Sequence, residues 1–167
     1  AYLSIAGQDL HRPNLFKPAQ YIQLHSKIST KSLLRIRTQH AKEIPTHQAL
    51  TEGKKTAYVD RQCHLCHNHD NQSVTIGSES HFLLNCPHVP SSLTEQSSNL
   101  FSHLLQYLEV VPWEQVPPNT KISLLLGSYP PTSWKLTIKD SNYLMKATIQ
   151  HSAHLAIQLS KFLRQYE

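Results

Sequence analysis

Glycine is scarce in this chain, with four in 167 residues. That count argues against a sandwich or barrel built on many tight turns. No run of about 18 apolar residues occurs, so no membrane-spanning helix is expected. The opening stretch "AYLSIAGQDLHRP" has no charged segment ahead of an apolar one, so it does not read as a signal peptide. It has no initiator Met either, and the expectation is a piece of a longer polypeptide or a processed chain. Two adjacent aspartates occur nowhere. Cysteine is limited to three, an odd and clustered number that does not make a disulfide framework. A reducing compartment, nuclear or cytoplasmic, fits that usage. No internal repeat or low-complexity tract is present.

What is there is a basic excess and a wealth of histidine. The net charge is +5, with twelve histidines besides. Residues 1–62 hold ten Lys and Arg against four acids, a balance of +6. Residues 63–167 hold six against seven, a balance of −1. Positive charge confined to one half suggests a polyanionic partner. The near-neutral half is expected to add little to that binding. A chain of this length can bury about 70% of its unfolded surface, enough for one domain with a real core.

Periodicity favours helices over strands. Thr30–Glu43 reads as a helix with Thr30 as N-cap, Leu33, Leu34, Ile36 and Ala41 apolar, and Arg35, Arg37 and Lys42 solvated. Pro45 should end it. Residues 44–62 look irregular. Ser91–Val111 carries Leu93, Leu100, Phe101, Leu104, Leu105 and Leu108 on one stripe, with Ser92 and Glu95 spaced as a capping box. "NTKISLLLGS" reads as a short helix from Asn119 to a C-cap at Gly127. A long final helix should start at Asp140 or Ser141 and run to the end. Tyr143, Leu144, Ala147, His151, His154, Leu155, Leu159, Phe162 and Leu163 would form or border its apolar face.

All three cysteines lie in "CHLCHNHDNQSVTIGSESHFLLNC", with the pattern C-x2-C-x14-H-x4-C on Cys63, Cys66, His81 and Cys86. Four soft or borderline ligands in this arrangement suit a tetrahedral Zn2+. The C-x2-C turn brings two sulfurs together and lets backbone amides point at them. Ser78 can cap a short helix carrying His81 inward. Residues five apart on an α-helix are about 140° apart, so His81 and Cys86 would not share a face. Pro87 offers a remedy, because the residue before proline is driven to extended geometry. His81 is favoured as fourth ligand since "FLL" would anchor its helix, and His67 is the alternative. A redox C-x-x-C would need a strand–helix context that "DRQCHLCHNHDN" does not provide.

"RQCHLC" and "ESHFLLNCP" together resemble the zinc-binding segment near the C-terminal end of non-LTR (LINE-type) retrotransposon reverse transcriptase polyproteins. The matching positions are Arg61, Cys63, Cys66, Glu79, His81, Phe82, Leu83, Leu84, Cys86 and Pro87. Upstream, "LLRIRTQHAKEIPTHQAL" is similar to the family's Arg-rich helix and the short segment after it. The usual acidic pair before the histidine is reduced to Glu79, and no aromatic follows the Cys-Pro. The resemblance implies a non-catalytic part of such a polyprotein, because no aspartate pair for a two-metal polymerase site is present.

The expected fold is therefore mostly α: a small helical domain organised around one structural CCHC zinc knuckle, with irregular segments. Residues 1–29 would be an arm or linker, 30–90 the basic helix and knuckle, and 91–167 a helical region packed on it. The expected function is binding of template RNA or target DNA, with the rest of the polyprotein as a further partner and no membrane. Lys31, Arg35, Arg37, Lys42, Lys54, Lys55 and Arg61 would contact phosphates, and Tyr58 could stack on a base. Two alternatives are a zinc-stabilised helical protein-interaction module and, more remotely, a three-ligand zinc hydrolase with Glu79 as base.

Overall fold

The computed structural model describes residues 27–39, 41–51, 61–69 and 75–166. Among them the fold is helical, and the only β pairing is a single antiparallel bridge between Gln62 and Ile76. The α-helices are α1 (Lys27–Arg37), α2 (Pro45–Thr51), α3 (His64–His69), α4 (Ser91–Tyr107), α5 (Pro118–Leu125) and α6 (Ile138–Leu163). A π-helical turn, His81–Asn85, precedes α4. Short 3₁₀ turns at Trp113–Gln115, Thr132–Trp134 and Arg164–Tyr166 complete the set.

Helix α6 is the central post, with α1 and α4 packed against it. Its buried residues include Leu144, Met145, Ile149, Ala153, Leu155, Ala156, Leu159 and Leu163, recurring three and four apart as one helix face requires. Burying one such large side chain contributes about 1.5–3 kcal/mol. Leu33 and Ile36 of α1, Phe101 and Leu105 of α4, and Leu124 of α5 fill the same core. Ser97 Oγ and His151 Nε2, 2.8 Å apart, join α4 to α6. Trp113 stacks on Phe101 with ring centroids 4.8 Å apart, and the Lys121 ammonium sits over the Trp113 ring 5.3 Å from its centroid. Cys63, Cys66, Phe82, Leu83 and Cys86 belong to this one core, so the cysteine segment is not a separate body.

Several helix ends differ from those expected. Helix α1 stops at Arg37, before Pro45 can act, and Gln39 takes φ 57° after it. Thr30 lies inside α1 rather than at its cap, and the helix begins within the expected arm. Residues 45–51, expected to be irregular, form α2. Helix α4 begins after Pro90 with no side-chain cap, so the Ser92–Glu95 box does not form. It ends in a paired set of bonds, Glu109 N–H to Gln106 O and Val110 N–H to Leu105 O, with Glu109 at φ 50°. That is the Schellman closure, made here without glycine. Gly127 closes α5 in the same way at φ 73°, with Ser128 N–H on Ser123 O. The true cap of α6 is Thr137, whose Oγ1 accepts the Asp140 N–H at 3.1 Å. Tyr143, Ala147 and His154 face solvent, not the core.

Candidate metal centre

Two arms carry the four residues. The Gln62–Ile76 bridge joins them, with Cys63 N–H donating to Thr75 O at 2.7 Å and Gly77 N–H to Arg61 O at 2.8 Å. Gly77 has to be small: a Cβ there would stand 2.7 Å from Pro45 Cγ and 3.3 Å from Cys63 Cα. On the first arm, α3 opens with His67 N–H on Cys63 O, so Cys63 and Cys66 sit at the two ends of one turn. The Cys66 backbone amide bonds to Cys63, and the His88 amide to Cys86.

The second arm resolves the mismatch between spacing and face. Ser78 Oγ accepts the His81 N–H at 3.2 Å and starts the turn. Cys86 N–H then donates to His81 O at 2.7 Å, an i→i+5 bond. The wider turn stacks residues five apart, which an α-helix would splay. Cys86 itself is extended, φ −74° and ψ 115°, as the residue before Pro87 should be.

The result is a buried group in which one ligand atom from each of Cys63, Cys66, His81 and Cys86 lies within 4.8 Å of every other. Cys66 Sγ is 3.3 Å from His81 Nε2, 3.8 Å from Cys86 Sγ, and Cys63 Sγ is 4.0 Å from Cys86 Sγ. A tetrahedral ion with bonds of about 2.3 Å to sulfur and 2.0–2.1 Å to nitrogen needs edges of about 3.8 Å and 3.6 Å. These three distances lie close to those edges, and none of the six exceeds 4.8 Å. They exclude disulfides, whose sulfurs are about 2.05 Å apart. The group can hold a metal ion.

The electrostatics agree. The Cys63 thiol is lowered from its ordinary value, first by the hydrogen bond from Cys86 and against the cost of burial. Cys86 is raised, first by the same hydrogen bond and then by burial. The two sulfurs are thus shifted in opposite directions, with their mutual hydrogen bond as the leading cause of both shifts. His67, the alternative ligand, is exposed and outside the group.

Glu79 is not placed as a hydrolytic base. It is buried, and its Oε2 accepts from His47 Nε2 at 3.1 Å. Burial alone would push its carboxyl up. The hydrogen bond and charge of His47 outweigh burial, and the net shift is downward. The pair clamps α2 onto the arm that carries His81. Sequence reasoning missed His47, because nothing in a linear pattern couples positions 47 and 79.

The basic residues divide. Lys31 and Lys42 are exposed. Arg35 reaches Glu43 Oε2 at 3.4 Å, and Arg164 approaches the other oxygen of that buried carboxylate at 3.5 Å. Arg37 Nη1 donates to Leu126 O at 2.7 Å, at the C-terminus of α5. Both arginines expected to be solvated are half-buried ties between elements. Arg61 is half-buried beside the first arm. Lys54, Lys55 and Tyr58 lie outside the described residues. No described helix is long and apolar enough to cross a membrane. Compared with family models, curated proteins and solved structures, the chain matches none.

Proposed function

We propose that Cys63, Cys66, His81 and Cys86 hold one structural Zn2+, and that the module so built is a non-catalytic, nucleic-acid-binding part of a retrotransposon-type reverse transcriptase. The carrying observation is the buried four-residue group with tetrahedral edges. Three sulfurs and one imidazole favour zinc over the harder ions, which select oxygen. Four protein ligands leave no position for a reacting water, so the ion's role is to hold the arms together. Binding of RNA or DNA is supported by the +6 balance of residues 1–62 and by the resemblance of the Cys-His segment. Lys31, Lys42, Lys54, Lys55 and Arg61 are the leading contacts, with Arg35 and Arg37 contributing charge from their tied positions.

The inward ties of Arg35 and Arg37 favour a second reading, a zinc-stabilised helical module that binds protein. A salt series separates the two. Phosphate contacts give log–log slopes of roughly −0.7 each on single strands and −0.9 on duplex DNA. Affinity for mixed-sequence RNA or DNA that falls steeply with salt supports the first reading. No binding at low salt by the zinc-loaded protein overturns it in favour of the second. Elemental analysis without stoichiometric zinc in fresh protein overturns the metal assignment.

A further inference from the structure

The outer edge of α6 carries a pattern that overall charge conceals. Lys139, Tyr143, Lys146, Gln150 and His154 are exposed, and so is Lys161. At about 100° per residue these six fall within an arc of about 80° on the helix. From Lys139 to Lys161 they span 22 residue steps, about 33 Å of rise. The only acid on α6 is Asp140, which lies off this stripe and is engaged at the helix cap with Thr137. The other described acids of the near-neutral half are elsewhere: Glu79 is buried against His47, and Glu95, Glu109 and Glu114 lie on or after α4. Folding therefore separates charges that sequence averaging cancels.

Aromatic surface adjoins the lysines. Tyr107, at the end of α4, is 72% exposed, and Tyr143 is 47% exposed. Their rings touch, with centroids 5.6 Å apart. Tyr107 and Tyr143 thus present aromatic surface to solvent side by side. A row of cations beside an aromatic platform is the combination that binds a flexible polyanion with flat bases: lysines take phosphates and rings take base faces.

We infer that the outer face of α6, with Tyr107 of α4, is a track for single-stranded nucleic acid, Tyr107 and Tyr143 stacking a base and Lys139, Lys146 and Lys161 contacting phosphates. This rests on the proposed nucleic-acid reading and moves its main surface away from the basic N-terminal half. The track is sequence-tolerant, since stacking and phosphate contacts read no base edges.

The test uses zinc-loaded full chain and fluorescent single-stranded oligonucleotides of mixed sequence, titrated over a salt series. Two variants probe the track, Lys139→Gln/Lys146→Gln/Lys161→Gln and Tyr107→Ala/Tyr143→Ala, and Lys31→Gln/Lys42→Gln probes the other half. All changed side chains are exposed, and unchanged zinc content and helical circular dichroism verify folding. The triple lysine variant should reduce the log–log salt slope by up to about two, at roughly 0.7 per contact. The tyrosine variant should weaken binding about tenfold while leaving the slope unchanged. Binding by the unaltered chain that both track variants retain in full, or that requires duplex, overturns the track but leaves the nucleic-acid reading standing. No binding by the unaltered chain overturns both.

Discussion

The Cys-His segment and the α4–α6 pair achieve order in different ways. Between α4 and α6, order comes from apolar area: Phe101, Leu105, Leu144 and Leu159 are all but inaccessible and lie on regular helical stripes. Among the described residues from Arg61 to Cys86 regular structure is short, with one six-residue helix, one bridge and one π turn. There the polar framework of bonds to Thr75, Arg61 and Ser78 aims four ligand atoms at one point. A stripe tolerates substitution because each residue adds a little. A ligand set does not, because each member holds a quarter of the coordination. The stripe also works in the absence of any other species, whereas the Cys-His group is arranged as a site that can hold an ion.

The largest effect should come from breaking the ligand set. Chelation, or Cys63→Ser, should unfold residues 61–86 and leave α4 and α6 helical. Structural zinc in finger peptides contributes apparent free energies of about 10–16 kcal/mol at pH 7. Amide exchange measured with and without chelator should lose protection in the first region only; uniform loss would show one cooperative unit. Affinity should drop as pH falls, because thiols and an imidazolium must lose protons before they can ligate.

Next is the apolar side. Phe101→Ala removes a fully buried ring from between α4 and Trp113 and should cost about 3–5 kcal/mol. Denaturant unfolding should register that loss while zinc stoichiometry stays at one. Gly77→Ala tests the seam between the two regions, where a Cβ meets Pro45 and the Cys63 backbone. It should cost about 1–3 kcal/mol, as overpacking does, and weaken zinc binding with it. A change in stability without any change in zinc affinity would separate the regions more sharply than their shared core suggests.

The smallest effect is a gain. Glu109 holds φ 50° at the end of α4, a conformation that suits glycine. Glu109→Gly should raise stability by about 1 kcal/mol, the scale of the left-handed strain it relieves. Thermal melting should rise by a few degrees with the metal site untouched.

The grouping of Cys63, Cys66, His81 and Cys86 was legible in the sequence because C-x2-C and H-x4-C are spacings, and spacing survives without coordinates. So was the break at Cys86, since Pro87 acts on its neighbour alone. Gly127 was legible as a stop for the same local reason. The inward ties were not. Arg37 finds Leu126 and His47 finds Glu79 only after distant elements dock, and a charged residue in a linear pattern defaults to solvent. The caps of α4 and α6 were misplaced because several Ser, Thr and Asp residues near each start compete. The cap of α6 is Thr137, three positions before Asp140, its Oγ1 accepting the Asp140 N–H. The basic face of α6 was hidden by averaging over a half-chain whose acids fold elsewhere.

The π turn also governs which length changes the module can accept. Closing a loop costs only about 0.6 kcal/mol more for each doubling of its length, so the spacer from Cys66 to His81 can gain or lose residues cheaply. Within His81–Asn85 a length change alters the kind of turn instead. Removing Leu83 or Leu84 would put His81 and the last cysteine four apart, about 40° from one another on an ordinary α-helix, so the π turn would no longer be needed to keep them on one face. Natural variants of this module should therefore differ freely in the length of the spacer, while each spacing between the histidine and the last cysteine comes with its own turn: an α turn for three intervening residues, a π turn for four.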